Sequence, residues 1–408
     1  MRLAVVSPFV DRRHGSERAL AELLEHLAHK EHCEIHLYSQ RVEGLALTHA
    51  GVPSSQLSGA IIWHEVPSIP GPHLLQFFVW LFLNSICRAW NRRVHGLRFD
   101  SVVSPGINCL DAQVVIVHAL FQRLRKLAGE EESGDIRPGF LRRLHRRIYY
   151  ALLARLERHI YTNQEVSLVA VSQRTATLLN DYFRRQDVRV IPNGVDSTQF
   201  SPSARLALRA QARGRRNFQE SDFVLLLIGN DWRVKGLETV FRAMSDLRQL
   251  PIHLVVAGDD SPDAFREMAK SLGISERCRF ESSREDVLDF YAVADIYVSP
   301  SREDSFGLPV LEAMACGLPV ITSAYAGVTG LLQNGVNGFV LREPRAQKEL
   351  VPLLDELFHD PQRRQRVGKA AAASALDWDW DRNAEAFWQL LQHTARRKNE
   401  ARTSQSDA

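Results

Sequence analysis

No two of the five cysteines, Cys33, Cys87, Cys109, Cys278 and Cys316, stand at C-x-x-C spacing. That excludes a zinc knuckle and a disulfide framework, and it points to reduced, mostly buried thiols in a reducing compartment. An excess of one charge is lacking too: 51 Lys and Arg against 48 Asp and Glu leave a net charge of +3, too little over 408 residues for wholesale nucleic-acid binding. Long apolar runs are absent. The most apolar stretch, Leu74 to Trp90, has an uninterrupted core of only seven residues, Phe77 to Leu83, before Asn84, Ser85 and Arg88. It is too short and too polar to span a bilayer, and a buried core helix is favoured over a membrane-touching one. Met1 to Val10 offers one Arg and an apolar run broken by Pro8, which reads as a strand rather than a signal peptide. The expected location is the cytoplasm, either free or peripheral on the inner face of the plasma membrane.

What is present is ordinary globular material: 45% hydrophobic and 24% charged residues, with 23 Gly and 17 Pro, which rules out disorder and collagen. At roughly 150 residues per domain the length favours two or three domains. Short β-branched runs alternate with helical periods from end to end, the pattern of an α/β chain with parallel sheets and crossover helices. Strands are predicted at Leu3–Ser7, Glu34–Tyr38, Ala60–Trp63, Ser101–Ser104, Val114–Val117, Leu168–Ser172 and Val188–Ile191. The pattern restarts after Pro192, with strands at Phe223–Ile228, Ile252–Ala257, Asp295–Ser299, Leu318–Thr322 and Phe339–Leu341. Turn formers crowd between Ile191 and Ser203, so two doubly wound domains are expected, 1–190 and 191–377, facing across a cleft. Arg137 to Arg158 carries seven arginines and one acid, Glu157, among Leu141, Leu144, Ile148, Tyr149, Leu152 and Leu156. This basic amphipathic helix reads either as a solvated face over a core stripe or as a surface for an anionic membrane or a phosphorylated acceptor.

The most informative stretch is SPSREDSFGLPVLEAMACGLP, Ser299 to Pro319. A strand ends at Ser299 and a helix starts near Leu308, with Pro309 in its first turn and Gly317 past its end. The amides of Phe306, Gly307 and Leu308 would point out of that helix start and form a phosphate site. Glu312 lies just inside the helix, either as a dipole partner or as a carboxylate that accepts two hydroxyls of a ribose. In LLLIGNDWRVKGLE, Leu225 to Glu238, Lys235 stands at a strand-to-helix turn where it could neutralise a diphosphate, with Arg233 assisting or simply solvated. In the first half, Gly15 and Ser16 form a candidate phosphate-approach turn, and His118 ends the strand VVIVH at the carboxyl edge of the sheet.

Together these pieces resemble the GT-B glycosyltransferases, specifically the retaining, nucleotide-sugar-dependent family 4, also called group 1. The resemblance covers nearly the whole chain. It rests on EDSFGLPVLEAMACGLPVI, which is similar to the family's E-x7-E signature, followed by GVTGLLQNGVNGFVL. IPNGVD at Ile191 to Asp196, the GNDWRVKG loop, VVAGD at Val255 to Asp259 and FYAVADIYVSPS add to it. The resemblance implies that Glu312 holds the donor ribose, that the amides of Phe306 to Leu308 hold the phosphates, and that Lys235 holds the departing diphosphate. Asp304 stands at the first acid, with Glu303 before it as an alternative, and Asn230 replaces the Arg of many relatives. His118 matches a histidine that approaches the transferred sugar. WDWDRNAEAFWQLLQ resembles the helix that crosses back to the first domain, about 378–398, with 399–408 as a frayed tail. No cofactor and no metal are expected beyond the donor.

The implied activity is transfer of a hexose, from a UDP-sugar by preference, to a glycan or lipid-linked acceptor in polysaccharide or lipopolysaccharide synthesis. The alternatives are a sugar-nucleotide epimerase or phosphorylase of the same fold, and a non-catalytic sugar-binding protein.

Overall fold

The computed structural model describes residues 1–30, 32–47, 61–131 and 140–406. The chain divides into two compact units, Met1–Pro192 with Trp380–Ala408, and Asn193–Asp379.

In the first unit the strands are β1 (Arg2–Val6), β2 (Phe9–Val10), β3 (Glu34–Ser39), β4 (Arg41–Val42), β5 (Ile61–Glu65), β6 (Ser101–Pro105), β7 (Val114–Val117), β8 (Ser167–Ala170) and β9 (Arg189–Val190). The helices are α1 (Gly15–Ala28), α2 (His73–Val94), α3 (Phe121–Glu131), α4 (Phe140–Tyr161) and α5 (Gln173–Phe183). Seven strands form one sheet in the order β5-β3-β1-β6-β7-β8-β9, and β2 pairs with β4 beside it. The ladders are parallel. Leu3, Ala4, Val5 and Val6 are buried without alternation, because helices cover both faces of such a sheet. On α1, Leu20, Leu23, Leu24 and Leu27 recur at spacings of three and four and share the buried face.

The second unit contains α6 (Pro202–Gly214), β10 (Phe223–Ile228), α7 (Leu237–Asp246), β11 (Ile252–Ala257), α8 (Asp263–Ser271) and β12 (Cys278–Glu281). These are followed by α9 (Leu288–Val293), β13 (Ile296–Ser299), α10 (Leu308–Ala315), β14 (Val320–Ser323), β15 (Phe339–Leu341), α11 (Gln347–His359) and α12 (Pro361–Ala375). Its parallel sheet runs β12-β11-β10-β13-β14-β15. The chain then returns to the first unit as α13 (Trp380–Ser406). There Phe387 and Leu391 are buried, Lys30 pairs with Glu385 at 2.7 Å, and Asn383 Nδ2 donates to the Pro192 carbonyl at 2.6 Å.

The structure contains strands that were not expected and corrects one expectation. Strand β12 was not anticipated, since CRFE alternates charge with apolar residues and contains no β-branched side chain, which an edge strand tolerates. The small pair β2 and β4 was too short to leave a periodic signal. Helix α13 extends as far as Ser406. The stretch Leu74 to Trp90 is helical within α2 but is not a buried core helix: Leu75, Phe78, Phe82, Ile86 and Trp90 are exposed. Ala60 and Arg137 lie outside the described residues. No helix among the described residues is long and apolar enough to cross a membrane.

Candidate functional site

In each sheet the strand order reverses at one place, between β1 and β6 in the first unit and between β10 and β13 in the second. Loops leaving two such strands run in opposite directions and open a crevice at the carboxyl edge, where ligands bind in open α/β sheets. The sequence-predicted residues fall on these two switch points.

In the second unit, the loop after β10 carries Asn230, Arg233 and Lys235. The loop after β13 carries Glu303, Asp304 and the start of α10. The loops are bound together. Arg302 N donates to the Val234 carbonyl at 2.6 Å, and Lys235 Nζ donates to Asp304 Oδ2 at 2.5 Å. Gly236 makes the approach possible: it caps α7 at φ +83°, and a Cβ there would stand 2.2 Å from the Pro300 carbonyl oxygen.

The β13 loop is pinned from its far side. Asp304 N donates to the Tyr325 carbonyl at 3.1 Å, Gly327 N to Asp304 O at 2.8 Å and Val328 N to Phe306 O at 2.6 Å. Gly307, at φ +97°, then turns the chain into α10, with Pro309 in the first turn. A helix start with outward amides and the positive end of its dipole favours an anion in general, and Phe306, Gly307 and Leu308 stand at the start of α10. Glu312 is 4% exposed. Tyr291 Oη donates to its Oε2 at 2.6 Å, and a carboxylate accepts more than one hydrogen bond at each oxygen. Burial, with Asp304 and Glu312 nearby, raises the Tyr297 phenol, so that it stays neutral.

The other predicted donor residues have defined settings. Asn230 Oδ1 accepts from Asp259 N at 2.8 Å and so braces the β11 loop. Arg233 Nε lies 3.7 Å from Glu238 Oε1. Glu303 is half-buried beside Asp304, and it is Asp304 that engages Lys235.

In the first unit a cavity of about 240 Å³ occupies the switch point, lined by Ser7 and Pro8 after β1, Gly106 and Asn108 after β6, and His118 after β7. Ser16 and Glu17 from the start of α1 line it, Gly15 being the first residue of that helix. Burial lowers the His118 imidazolium to about 4, which makes the ring a neutral hydrogen-bonding group at the cavity wall. Phe77 of α2 and Tyr149 and Leu153 of α4 complete the wall. Two supports hold it. Trp80 Nε1 donates to Asn108 O at 3.0 Å, and the buried Glu157 accepts from the amides of Phe121 and Gln122 at 2.7 and 2.9 Å, although burial raises its carboxyl to about 7.

Sequence reasoning singled out neither Tyr291 nor Asn108, and it placed Tyr149 only in the apolar stripe of the basic helix, not at the cavity. Tyr291 sits in the apolar run FYAVADIYV and carries no local sign that its hydroxyl meets a residue 21 positions on. Asn108 and Tyr149 become visible only when the sheet order is known.

Two family models match the chain, one described as Glycosyltransferase Family 4 over residues 13–199 and one as Glycosyl transferases group 1 over residues 209–374. A D-inositol 3-phosphate glycosyltransferase of Corynebacterium aurimucosum is 28% identical over 236 residues, 55% of this chain and 56% of the relative. The chain spans about half the length of the curated relatives it matches. Among solved structures, WaaG, a glycosyltransferase involved in lipopolysaccharide biosynthesis, is similar at TM-score 0.73 and 22% identity, covering 95% of this chain and 99% of that one. Anabaena Alr3699/HepE, solved in complex with UDP-glucose, is similar at TM-score 0.67 and 18% identity, covering 96% of this chain and all of that one (100%). At these identities the likeness is one of fold: two parallel-sheet units of the GT-B type.

Proposed function

The chain belongs to the group 1 glycosyl transferases, and from that premise we propose that it is a retaining hexosyltransferase. Its donor is a nucleoside-diphosphate sugar, UDP-linked by preference, and its acceptor a glycan or lipid-linked sugar of a cell-surface polysaccharide or lipopolysaccharide. The observation that carries this reading is the switch point of the second unit, where Lys235 and the start of α10 supply positive potential and Glu312 supplies hydroxyl acceptors.

Each group has a task set by its chemistry. The amides of Phe306, Gly307 and Leu308 hold the phosphates, and Glu312 accepts hydrogen bonds from the ribose diol. As the bond from the sugar's C1 to the phosphate oxygen lengthens, the sugar becomes oxocarbenium-like and negative charge gathers on the diphosphate. The Lys235 ammonium has three N–H groups; Asp304 takes one, and the others face that charge. The acceptor attacks on the face the diphosphate leaves, and a donor phosphate oxygen takes its proton. His118, neutral, hydrogen-bonds a sugar hydroxyl in the first unit's cavity. The cationic work assigned to Lys235 and the helix start makes a divalent cation unnecessary in this scheme, so a chelator should leave transfer unchanged.

The reading is supported by the UDP-glucose complex of the Anabaena protein of the same fold. Calorimetric titration with UDP-, GDP- and ADP-sugars, followed by transfer assays on lipid-linked and free glycan acceptors, tests it. Donor cleavage with transfer to an acceptor is expected. Conversion of the nucleotide sugar with no acceptor present would instead make the protein an epimerase.

A further inference from the structure

The exposed residues of α2 form a stripe that neither unit's core uses. Leu75, Phe78, Phe82, Ile86 and Trp90 recur at spacings of three and four and therefore share one face, with Phe82 66% and Trp90 63% exposed. The opposite face carries the buried Trp80, Leu81, Asn84 and Arg88. A monomeric surface seldom presents so many large apolar side chains in one row without a partner. Charge decides which partner. Helix α2 contains no acidic residue, and the exposed Arg92 and Arg93 follow Trp90 at its end. On α4 the exposed Leu144, Ile148 and Leu152 are accompanied by exposed Arg147, Arg155 and Arg158, while the one acid, Glu157, is fully buried. Apolar rows of Phe, Leu, Ile and Trp accompanied by arginines, with no exposed carboxylate among the described residues of either helix, match an anionic bilayer interface: rings and alkyl groups enter the acyl boundary and guanidinium groups meet the phosphates.

We propose that the exposed faces of α2 and α4 are a docking surface for an anionic lipid membrane. The same two helices supply Phe77, Tyr149 and Leu153 to the cavity of the first unit, so docking sets that cavity beside the lipid headgroups. The surface needs no nucleotide and stands whether or not the transfer reading holds.

The test is co-sedimentation of the full chain, without donor or acceptor, with phosphatidylcholine vesicles that contain or lack phosphatidylglycerol, at low and high salt. Binding to the phosphatidylglycerol vesicles at low salt, weakening as salt rises, is expected. The Phe82→Ser, Trp90→Ser double variant should bind at least about tenfold more weakly at every salt concentration, since two large side chains no longer enter the boundary. The Arg92→Glu, Arg93→Glu variant should lose the preference for the anionic lipid. All four positions are exposed, so both variants should keep the wild-type circular dichroism spectrum and melting temperature. Absence of binding at low salt overturns the proposal. So does a dimer in analytical ultracentrifugation that the Phe82→Ser, Trp90→Ser change abolishes, because the face would then belong to a second copy of the chain.

Discussion

Lys235 Nζ lies 2.5 Å from Asp304 Oδ2, and this pair is a side-chain link between the two loops of the β10/β13 switch point. Both groups are mostly buried. An ion pair removed from water contributes little net stability, because desolvation offsets the attraction. Its value is geometric: Asp304 fixes the direction of an ammonium that would otherwise sample many rotamers. Replacing Lys235 by Ala should therefore lower turnover at least about tenfold, or about 1.4 kcal/mol in transition-state free energy. Replacing Asp304 by Asn should lower it through the same lysine, so the double variant should be little worse than the poorer single one. Steady-state kinetics of the three variants measure this. Additive losses would mean that the two residues act separately.

A second prediction concerns Glu312 and the phenol that holds it. Tyr291→Phe removes the 2.6 Å donor and leaves a buried carboxylate short of a partner. A lost hydrogen bond to a charged group costs about 1.5–3 kcal/mol. Calorimetry should show nucleoside diphosphate affinity falling about tenfold, and Glu312→Ala should weaken it further. Unchanged affinity in both variants would remove the pair from the donor site.

The third prediction concerns stability. At Gly236 any other residue must adopt φ +83° and place its Cβ 2.2 Å from the Pro300 carbonyl oxygen. The left-handed conformation alone costs roughly 1–2 kcal/mol, and backbone must then move to relieve the overlap. Urea unfolding of Gly236→Ala should show a loss of at least about 2 kcal/mol, whereas Gly330→Ala, with no neighbour within 4 Å of its Cβ, should unfold much as the parent does.

How legible all this was follows from where each signal lies along the chain. Strands such as Phe223–Ile228 and Ile252–Ala257 were readable to the residue, because a strand buried on both faces is a continuous apolar run. The start of α10 was equally clear from Gly307, Pro309 and Gly317, whose backbone preferences are local. What stayed hidden depends on partners distant in sequence: Tyr291 on Glu312, Trp80 on Asn108, and Glu157 on the first amides of α3. Helix α2 misled for a related reason. Apolar content was read as burial, but which face of a helix meets the sheet is settled by tertiary packing.

The last prediction is a pH dependence of stability. His64 stacks on Tyr38 at 4.6 Å, its Nδ1 faces Asn91 Nδ2 at 3.1 Å, and its Nε2 lies 2.7 Å from His36 Nδ1. An amide nitrogen donates, so Nδ1 must accept. The proton then sits on Nε2 and is given to His36, whose own Nε2 donates to Glu34 Oε1 at 2.7 Å. This chain of donors runs only with both rings neutral, and burial adds to it by lowering the His64 imidazolium from 6.5 to about 4. His118 is lowered to about 4 by burial as well. A folded-state value below the unfolded one means that the stability is fully present above 6.5 and is lost as pH falls toward 4, where the unfolded chain takes up protons that the folded chain refuses. Urea midpoints measured across that window should therefore fall, by up to a few kcal/mol for the two rings together. His64→Gln should start less stable at neutral pH, having lost its bond to His36, yet decline less steeply toward acid. An equal slope in the variant would show that His64 is charged in the folded protein and that the neutral chain from Asn91 to Glu34 does not exist.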